Sequence, residues 1–214
     1  MKRNMRYYAT AFLSLIAVSL YAESDKPFQV GITMQETSAN YAALQFDVKL
    51  PAGVTIAEDQ EGHLMANLGI SGTDHQFRVA KIGENTYRFL AYSMTNTQLP
   101  INDTPLVYFT IEAENNLSKE EQGQLVSEAL LVEEDAQPNV PEESAYEVDS
   151  ELKGDVNKDK TLTAQDASLT LQDVSGKVDF NGFVITLSDV NGDGEVTAQD
   201  ASLMLQNVAG KISW

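Results

Sequence analysis

The 214-residue sequence contains no cysteine, which excludes disulfides, a thiol nucleophile and a lipid-attached cysteine. Basic residues are also few, with 14 lysines and arginines against 32 acidic residues and a formal net charge of −18. Contacts with nucleic acid and with anionic membrane surfaces depend on clusters of lysine and arginine. The charge balance therefore argues against both classes of partner.

Residues that carry catalysis are equally scarce. His63 and His75 are the two histidines, and each stands alone in a turn-rich stretch, so we expect both on the surface. The sequence has neither a Gly-x-Ser-x-Gly pattern nor the histidine pattern of a metal hydrolase. Paired carboxylates serve glycosidases, but chance pairs are inevitable among 32 acidic residues. The sequence predicts a protein that is not an enzyme.

Long apolar runs are missing except near the N-terminus, where residues 9–20 are mostly apolar. Lys2, Arg3 and Arg6 precede this run, and Ala22 follows it. This order is typical of a secretory signal peptide, and the run is shorter than the roughly 20 apolar residues of a membrane helix. We predict cleavage near Ala22 and a secreted protein, whether extracellular, cell-surface or periplasmic. The remaining chain has 11 basic and 32 acidic residues, a net charge of −21.

One segment of the sequence occurs twice. Residues 155–178 and 189–212 align without gaps and are identical at 16 of 24 positions. Each copy places oxygen-bearing side chains at its first, third, fifth and twelfth positions, which is the spacing of a calcium loop, and a helical pattern follows. An acidic loop that binds nothing would explain a single copy. Two in-register copies favour two calcium ions as cofactors.

Calcium takes oxygen ligands from alternate positions of such a loop, the seventh through its backbone carbonyl. The candidate ligands are Asp155, Asn157, Asp159, Thr161 and Asp166 in the first loop, and Asp189, Asn191, Asp193, Glu195 and Asp200 in the second. The sixth position favours positive φ, and it holds Lys160 in the first loop but Gly194 in the second. We therefore expect the second loop to bind calcium more tightly than the first.

The final 60 residues resemble a type I dockerin, the calcium-dependent docking module of cellulosome-type assemblies. The matching residues are Gly154-Asp-Val-Asn157-x-Asp159 with Asp166, Asp189-Val-Asn-Gly-Asp-Gly194 with Asp200, and the two Asp-Ala-Ser-Leu-x-Leu-Gln helices. The resemblance implies a small all-α module of two EF-hand-like loop–helix units, related by a pseudo-twofold axis. It also implies a cohesin-like domain as partner.

The resemblance further implies which residues contact that partner. They are Ala164, Gln165, Leu171, Gln172 and Gly176 in the first copy, and Ala198, Gln199, Leu205, Gln206 and Gly210 in the second. Each of these residues is the same in both copies. For Leu171 and Leu205 the alternative is a place in the hydrophobic core, because they lie at helical spacing with Val174 and Val208.

Residues 26–134 are built of short β-rich stretches separated by turn signals. We predict strands at 28–34, 42–50, 76–82, 87–94, 106–112 and 125–132, with a hairpin turn at 83–85. So many strands in about 110 residues predict a mostly β sandwich with one core. The stretches 41–56, 89–93 and 107–112 resemble strands of a cohesin, the jelly-roll receptor of dockerins. Carbohydrate-binding modules of related fold have the same pattern.

The predicted organisation is therefore a signal peptide at 1–22, a cohesin-like sandwich at 23–134, a Pro/Glu-rich linker at 135–150 and a dockerin at 151–214. The resemblance also implies that the two ends of the dockerin meet, and Tyr146 and Trp214 could form an aromatic clasp there. The alternative is that Tyr146 belongs to a mobile linker.

Two functions fit this organisation. The first is a secreted, non-catalytic adaptor that mediates calcium-dependent cohesin–dockerin assembly in extracellular polysaccharide degradation. Its partner would be a cohesin-like domain of another protein, of another copy of this chain or of the same chain. The alternative is a carbohydrate-binding module that the dockerin attaches to a scaffold, with polysaccharide as partner. Sugar rings favour exposed tryptophan and tyrosine platforms, and the single tryptophan, Trp214, lies outside the predicted sandwich, which favours the adaptor.

Overall fold

The computed structural model describes residues 26–34, 41–70, 72–102, 104–133, 138–139 and 146–214. The strands are β1 (Lys26–Met34), β2 (Tyr41–Lys49), β3 (Thr55–Ile56), β4 (Ala66–Leu68), β5 (Gln76–Lys81), β6 (Thr86–Tyr92), β7 (Val107–Ala113), β8 (Val126–Glu133), β9 (Pro138–Asn139) and β10 (Tyr146–Leu152). The helices are α1 (Lys119–Gly123), α2 (Ala164–Val174), α3 (Phe183–Ser188) and α4 (Ala198–Val208). The predicted signal peptide and part of the predicted linker lie outside the described residues.

The strands form two antiparallel sheets. Sheet A has the order β10-β1-β7-β3, with β4 also paired to β7, and sheet B has the order β5-β6-β2-β8-β9. Alternate side chains of each sheet meet in one core, as the two-residue period of a strand requires. Phe46 and Phe89 of sheet B stack with ring centroids 5.2 Å apart, and Phe109 of sheet A lies 5.3 Å from Phe89. The predicted mostly β sandwich is confirmed.

The six strands predicted from sequence all occur, with bounds that differ by one or two residues. The turn at 83–85 joins β5 to β6 in an antiparallel hairpin, as predicted. The pattern did not identify the shorter strands β3, β4 and β9. Two or three residues are too few to show an alternation of apolar and polar side chains.

The predicted linker at 135–150 is wrong in its last part. Residues 146–150 belong to β10, which pairs with β1 from Phe28↔Leu152 to Met34↔Tyr146. The sequence pattern did not identify this strand because its residues are largely acidic. Charged side chains are tolerated there because β10 lies at the edge of sheet A. The dockerin-like module therefore follows directly from a strand of the sandwich, at Lys153.

The C-terminal module has its own small core. Helices α2 and α4 pack against each other, with Ala167, Ala201 and Met204 buried between them and against Leu187 and Val190. Small alanines at this contact let the two helix axes approach closely. The two loop–helix units and the all-α class agree with the sequence prediction. The short helix α3, in the segment that connects the two units, was not predicted.

The C-terminal module packs on the outer face of sheet A. Phe183, the first residue of α3, is buried and lies over Gly31 of β1, with Pro105 beside it. β7 is consequently buried on both faces, with Phe109 in the sandwich core and Tyr108 and Thr110 toward the C-terminal module. The chain thus forms three layers, which are sheet B, sheet A and the helical module.

Candidate metal loops and partner surface

The two repeated loops have the same backbone conformation. In the first loop Lys158 and Lys160, at the fourth and sixth positions, have φ of 58° and 71°. In the second loop Gly192 and Gly194 have φ of 73° and 88° at the same positions. The left-handed conformation expected at the sixth position is present in both loops, and the first loop adopts it with a lysine. The fourth position has the same requirement, which the sequence analysis did not identify.

In the first loop the buried Asp155 carboxylate organises the turn. Its Oδ1 accepts a hydrogen bond from the backbone N–H of Asp159 at 3.1 Å, and its Oδ2 accepts one from Lys160 at 2.6 Å. The buried Asp166 accepts from the backbone N–H groups of Asn157 and Thr163 at 3.3 and 2.9 Å. The first and twelfth positions are therefore fixed side by side at the base of the loop.

The second loop repeats this geometry. Asp189 accepts from the backbone N–H groups of Gly192, Asp193 and Gly194 at 2.8 to 3.2 Å. Asp200 accepts from Asn191 and Thr197 at 3.3 and 2.9 Å.

The twelfth residue of each loop also lies in the first turn of a helix. Thr163 and Thr197 are the N-caps of α2 and α4, and each forms a reciprocal capping box with the aspartate three residues later. The capping aspartates are Asp166 and Asp200. An aspartate at this position therefore serves loop and helix together, as a buried loop carboxylate and as a capping residue of the first helical turn.

The donor set of each loop fits a hard divalent cation. The four aspartates at the first and twelfth positions are at most 3 % exposed. Burial raises the pKa of Asp155 and Asp189, and the neighbouring carboxylates Asp166 and Asp200 add to that rise. Buried carboxylates that repel one another are stabilised by a bound cation, and oxygen is the donor that calcium prefers.

The fifth-position aspartates are turned toward their neighbours. Asp159 accepts from the Asn157 amide at 2.9 Å, and Asp193 accepts from the Asn191 amide at 2.8 Å. No cluster of three acidic or histidine side chains converges on one point in the described part of the chain. Ligation would need a side-chain rotation at Asp159 and Asp193, both of which are exposed.

The second loop also contacts the sandwich. The Tyr108 hydroxyl donates a hydrogen bond to Asp189 Oδ2 at 2.6 Å, and burial raises the pKa of this hydroxyl. Lys153 is 1 % exposed and donates to Thr110 Oγ1 at 3.2 Å. Burial lowers the pKa of Lys153 to about 8, against the attraction of Asp189 and Asp200. Tyr108 and Lys153 carry no motif, so the sequence analysis did not associate either with the loops.

The ten residues proposed for partner contact lie at the surface of the C-terminal module. Eight are exposed, and Gln172 and Gln206 are half-buried. Leu171 and Leu205 are 42 % and 43 % exposed, and Val174 and Val208 are both 44 % exposed. The alternative that placed the two leucines in the core is therefore wrong. The two copies give nearly equal exposures, as a pseudo-twofold arrangement requires.

Two other expectations are corrected. Tyr146 packs in the sandwich core with its ring centroid 6.1 Å from that of Phe46, whereas Trp214 packs on the core of the C-terminal module. The clasp between Tyr146 and Trp214 is therefore wrong, because β10 holds Tyr146 in sheet A. His63 is exposed as expected, but the ring nitrogens of His75 are buried without a hydrogen-bond partner.

Comparison with known proteins identifies the C-terminal module. Residues 153–209 match the model of the dockerin type I domain, which confirms the dockerin prediction. Among solved structures, the chain is similar to a cohesin module from the Clostridium perfringens ATCC13124 family 33 glycoside hydrolase. That similarity has 11 % sequence identity and a TM-score of 0.40, and covers 58 % of this chain and 82 % of the other. No curated protein matches the chain.

The described residues include no helix with the length and apolar character needed to cross a bilayer.

Proposed function

We propose that this chain is a secreted, non-catalytic adaptor whose dockerin holds two calcium ions and binds a cohesin-like domain. The observation that carries the proposal is the dockerin match at residues 153–209 together with its duplicated, exposed helix surface. A link to extracellular polysaccharide degradation follows from the resemblance to cellulosome-type modules. Secretion follows from the predicted signal peptide.

Calcium would be held by oxygen donors of the two loops. In each loop the first and twelfth aspartates are already positioned by backbone N–H groups, and the left-handed turn between them is formed. When bound, calcium supplies the positive charge that offsets the repulsion among three carboxylates. Since the module has a small core, much of its folding free energy would then come from metal binding.

The partner surface consists of the tenth and eleventh loop residues and the outer faces of α2 and α4. Apolar residues that are more than 40 % exposed, such as Leu171 and Leu205, are suited to burial against another protein. Packing of the dockerin on sheet A involves α3 and the second loop and leaves this surface open. The sandwich of the same chain therefore does not occupy the proposed partner surface.

Among the described residues, the dockerin packs on sheet A and leaves the outer face of sheet B for a receptor role. The outer face of sheet A is covered by the dockerin, while the outer face of sheet B carries half-buried apolar and polar side chains, among them Gln45, Leu90 and Tyr92. A cohesin-like role would therefore use sheet B and would join two chains. Such a head-to-tail contact closes into a ring or continues as a filament.

Calcium titration by calorimetry on residues 23–214 tests whether the chain binds two calcium ions. Two bound calcium ions per chain, and loss of helical circular dichroism in excess chelator, are the expected results. A chain that binds no calcium would refute the proposal.

Light scattering after size-exclusion chromatography then shows whether the receptor is another copy of this chain or another protein. A mass that grows only with calcium assigns the receptor to another copy of the chain, and a constant monomer assigns it to another protein. A glycan array probed with the same protein tests the alternative function, since specific glycan binding by the sandwich would favour a carbohydrate-binding module.

A further inference from the structure

The two calcium loops are equivalent in sequence pattern but differ in their contact with the sandwich. Asp189, the first residue of the second loop, accepts a hydrogen bond from Tyr108 of β7 in addition to those from its own loop. Asp155, the equivalent residue of the first loop, accepts from the backbone of Asp159 and Lys160, and no side chain among the described residues donates to it. The sandwich therefore contributes a group to one loop of the pair.

The sandwich holds the Tyr108 hydroxyl in place from several directions. Val107 and Phe109 anchor β7 in the sandwich core, so the strand period turns Tyr108 outward toward the dockerin. Asn67 lies directly opposite Tyr108 in the β4–β7 register, so the two side chains are neighbours on the same face of sheet A. Tyr108 and Asp189 are each 3 % exposed, so the hydrogen bond between them is largely shielded from bulk water.

The second loop has a glycine, Gly192, at the position that lies closest to Asn67. A Cβ atom at Gly192 would lie 3.0 Å from Asn67 Nδ2, so a side chain at the fourth position would press on the residue that neighbours Tyr108. The first loop has Lys158 at the same position, and its ammonium lies 5.5 Å from the ring of Phe183 in α3. The difference between the two copies at this position therefore corresponds to the difference in their surroundings.

We propose that Tyr108 is a positioning residue for the second calcium loop, so that calcium binding there and the seating of the dockerin on the sandwich reinforce each other. The inference rests on the proposed calcium binding. The hydrogen bond favours the ionised carboxylate and fixes its rotamer, and removal of such outer-shell partners typically weakens metal binding 10- to 100-fold. By linkage, the factor by which the seated sandwich raises calcium affinity is also the factor by which calcium favours the seated arrangement.

Calcium titration of single-loop variants of the mature chain tests the proposal. Asp159→Ala removes an exposed ligand of the first loop and leaves the second as the single strong site, and Asp193→Ala does the reverse. Adding Tyr108→Phe should weaken the second loop about tenfold and leave the first loop unchanged. Tyr146→Phe is the matched control, because this hydroxyl is also buried in the sandwich but has no hydrogen-bond partner.

Hydrogen exchange supplies a readout that does not depend on affinity. Calcium should slow exchange of the α3 amides in the wild-type chain and slow it less in the Tyr108→Phe variant. Asn67→Ala, which leaves the tyrosine in place, should weaken the second loop severalfold and serves if Tyr108→Phe fails to fold.

The outcomes separate the two proposals. A wild-type chain that binds two calcium ions while these variants bind the second-loop ion normally would overturn the role of Tyr108. Equal weakening of both loops would do the same, because it would show a general loss of structure. A wild-type chain that binds no calcium refutes the proposed function instead.

Discussion

Phe183 of the dockerin lies against Gly31 of β1 so closely that no side chain fits between them. A Cβ atom at Gly31 would lie 2.6 Å from Phe183 Cδ2 and 2.9 Å from Pro105 Cγ. Carbon atoms in contact are normally about 3.5 to 4.0 Å apart, so the ring occupies the space of the missing side chain. This glycine weakens the strand in isolation, and its absence of a side chain allows the dockerin to pack on sheet A.

The first prediction follows from this contact. Gly31→Ala should leave the sandwich folded, because alanine is less unfavourable in a strand than glycine, but should displace Phe183 at a cost of about 1–3 kcal/mol. Hydrogen exchange should then increase at α3 and remain unchanged in β2 and β6. Gly123→Ala is the control, since a Cβ there meets nothing within 4 Å. Unchanged protection of α3 in Gly31→Ala would contradict a tight contact.

The second prediction concerns the first calcium loop. Lys160 holds a φ of 71°, which costs a residue with a side chain about 1–2 kcal/mol, and its charge opposes a cation. Lys160→Gly should therefore strengthen calcium binding by the first loop at least about fivefold, since 1.4 kcal/mol is a factor of ten. Calorimetry in the Asp193→Ala background measures that loop alone.

Lys160→Asn is the matched comparison for the second prediction. Asparagine tolerates the left-handed conformation and removes the charge, so part of the gain should appear in this variant as well. If both variants bound calcium more weakly than the wild-type chain, neither strain nor charge at Lys160 would explain the difference between the loops.

The third prediction concerns the buried lysine beneath the second loop. The Lys153 ammonium is electrostatically coupled to Asp189 and Asp200, so it competes with a cation for their charge. Lys153→Met keeps the side-chain volume and removes the charge, and calcium binding by the second loop should become severalfold tighter. The exposed Lys177→Met should have no such effect. Weaker binding in Lys153→Met would mean that its hydrogen bond to Thr110 matters more than its charge.

The sequence predicted the features that depend on local pattern. The alternation of apolar residues located the long strands, and the repeated Asp-Val-Asn-x-Asp segments located both loops and both helices that follow them. These features are encoded within about a dozen consecutive residues. The conformation of Lys160 also followed from its loop position alone.

The features that the sequence did not predict depend on contacts between distant segments. Tyr108 and Asp189 are 81 residues apart, and nothing near either one indicates the other. The acidic strand β10 is held by β1 rather than by an apolar pattern of its own. The same strand explains why the predicted clasp between Tyr146 and Trp214 is wrong. Tyr146 pairs with Met34 of β1, and this pairing places the Tyr146 ring against the sandwich core.

The last prediction is that the dockerin binds its partner in two orientations. Ala164 and Gln165 on the first copy are exposed, as are Ala198 and Gln199 on the second, and Leu171 and Leu205 are 42 % and 43 % exposed. A half-turn about the pseudo-twofold axis therefore presents nearly the same surface to a cohesin-like partner. Neither copy of this surface is covered by the sandwich.

Paired substitutions test these two orientations by calorimetry against the partner. Ala164→Asp with Gln165→Asp should lower the affinity about twofold, because losing one of two equal modes halves the association constant. The matched pair Ala198→Asp with Gln199→Asp should behave alike, and the four changes together should abolish binding. If one pair alone abolished binding, a single face would be in use. The contact between the second loop and Tyr108 already makes the two copies unequal, and it would then explain the use of a single face.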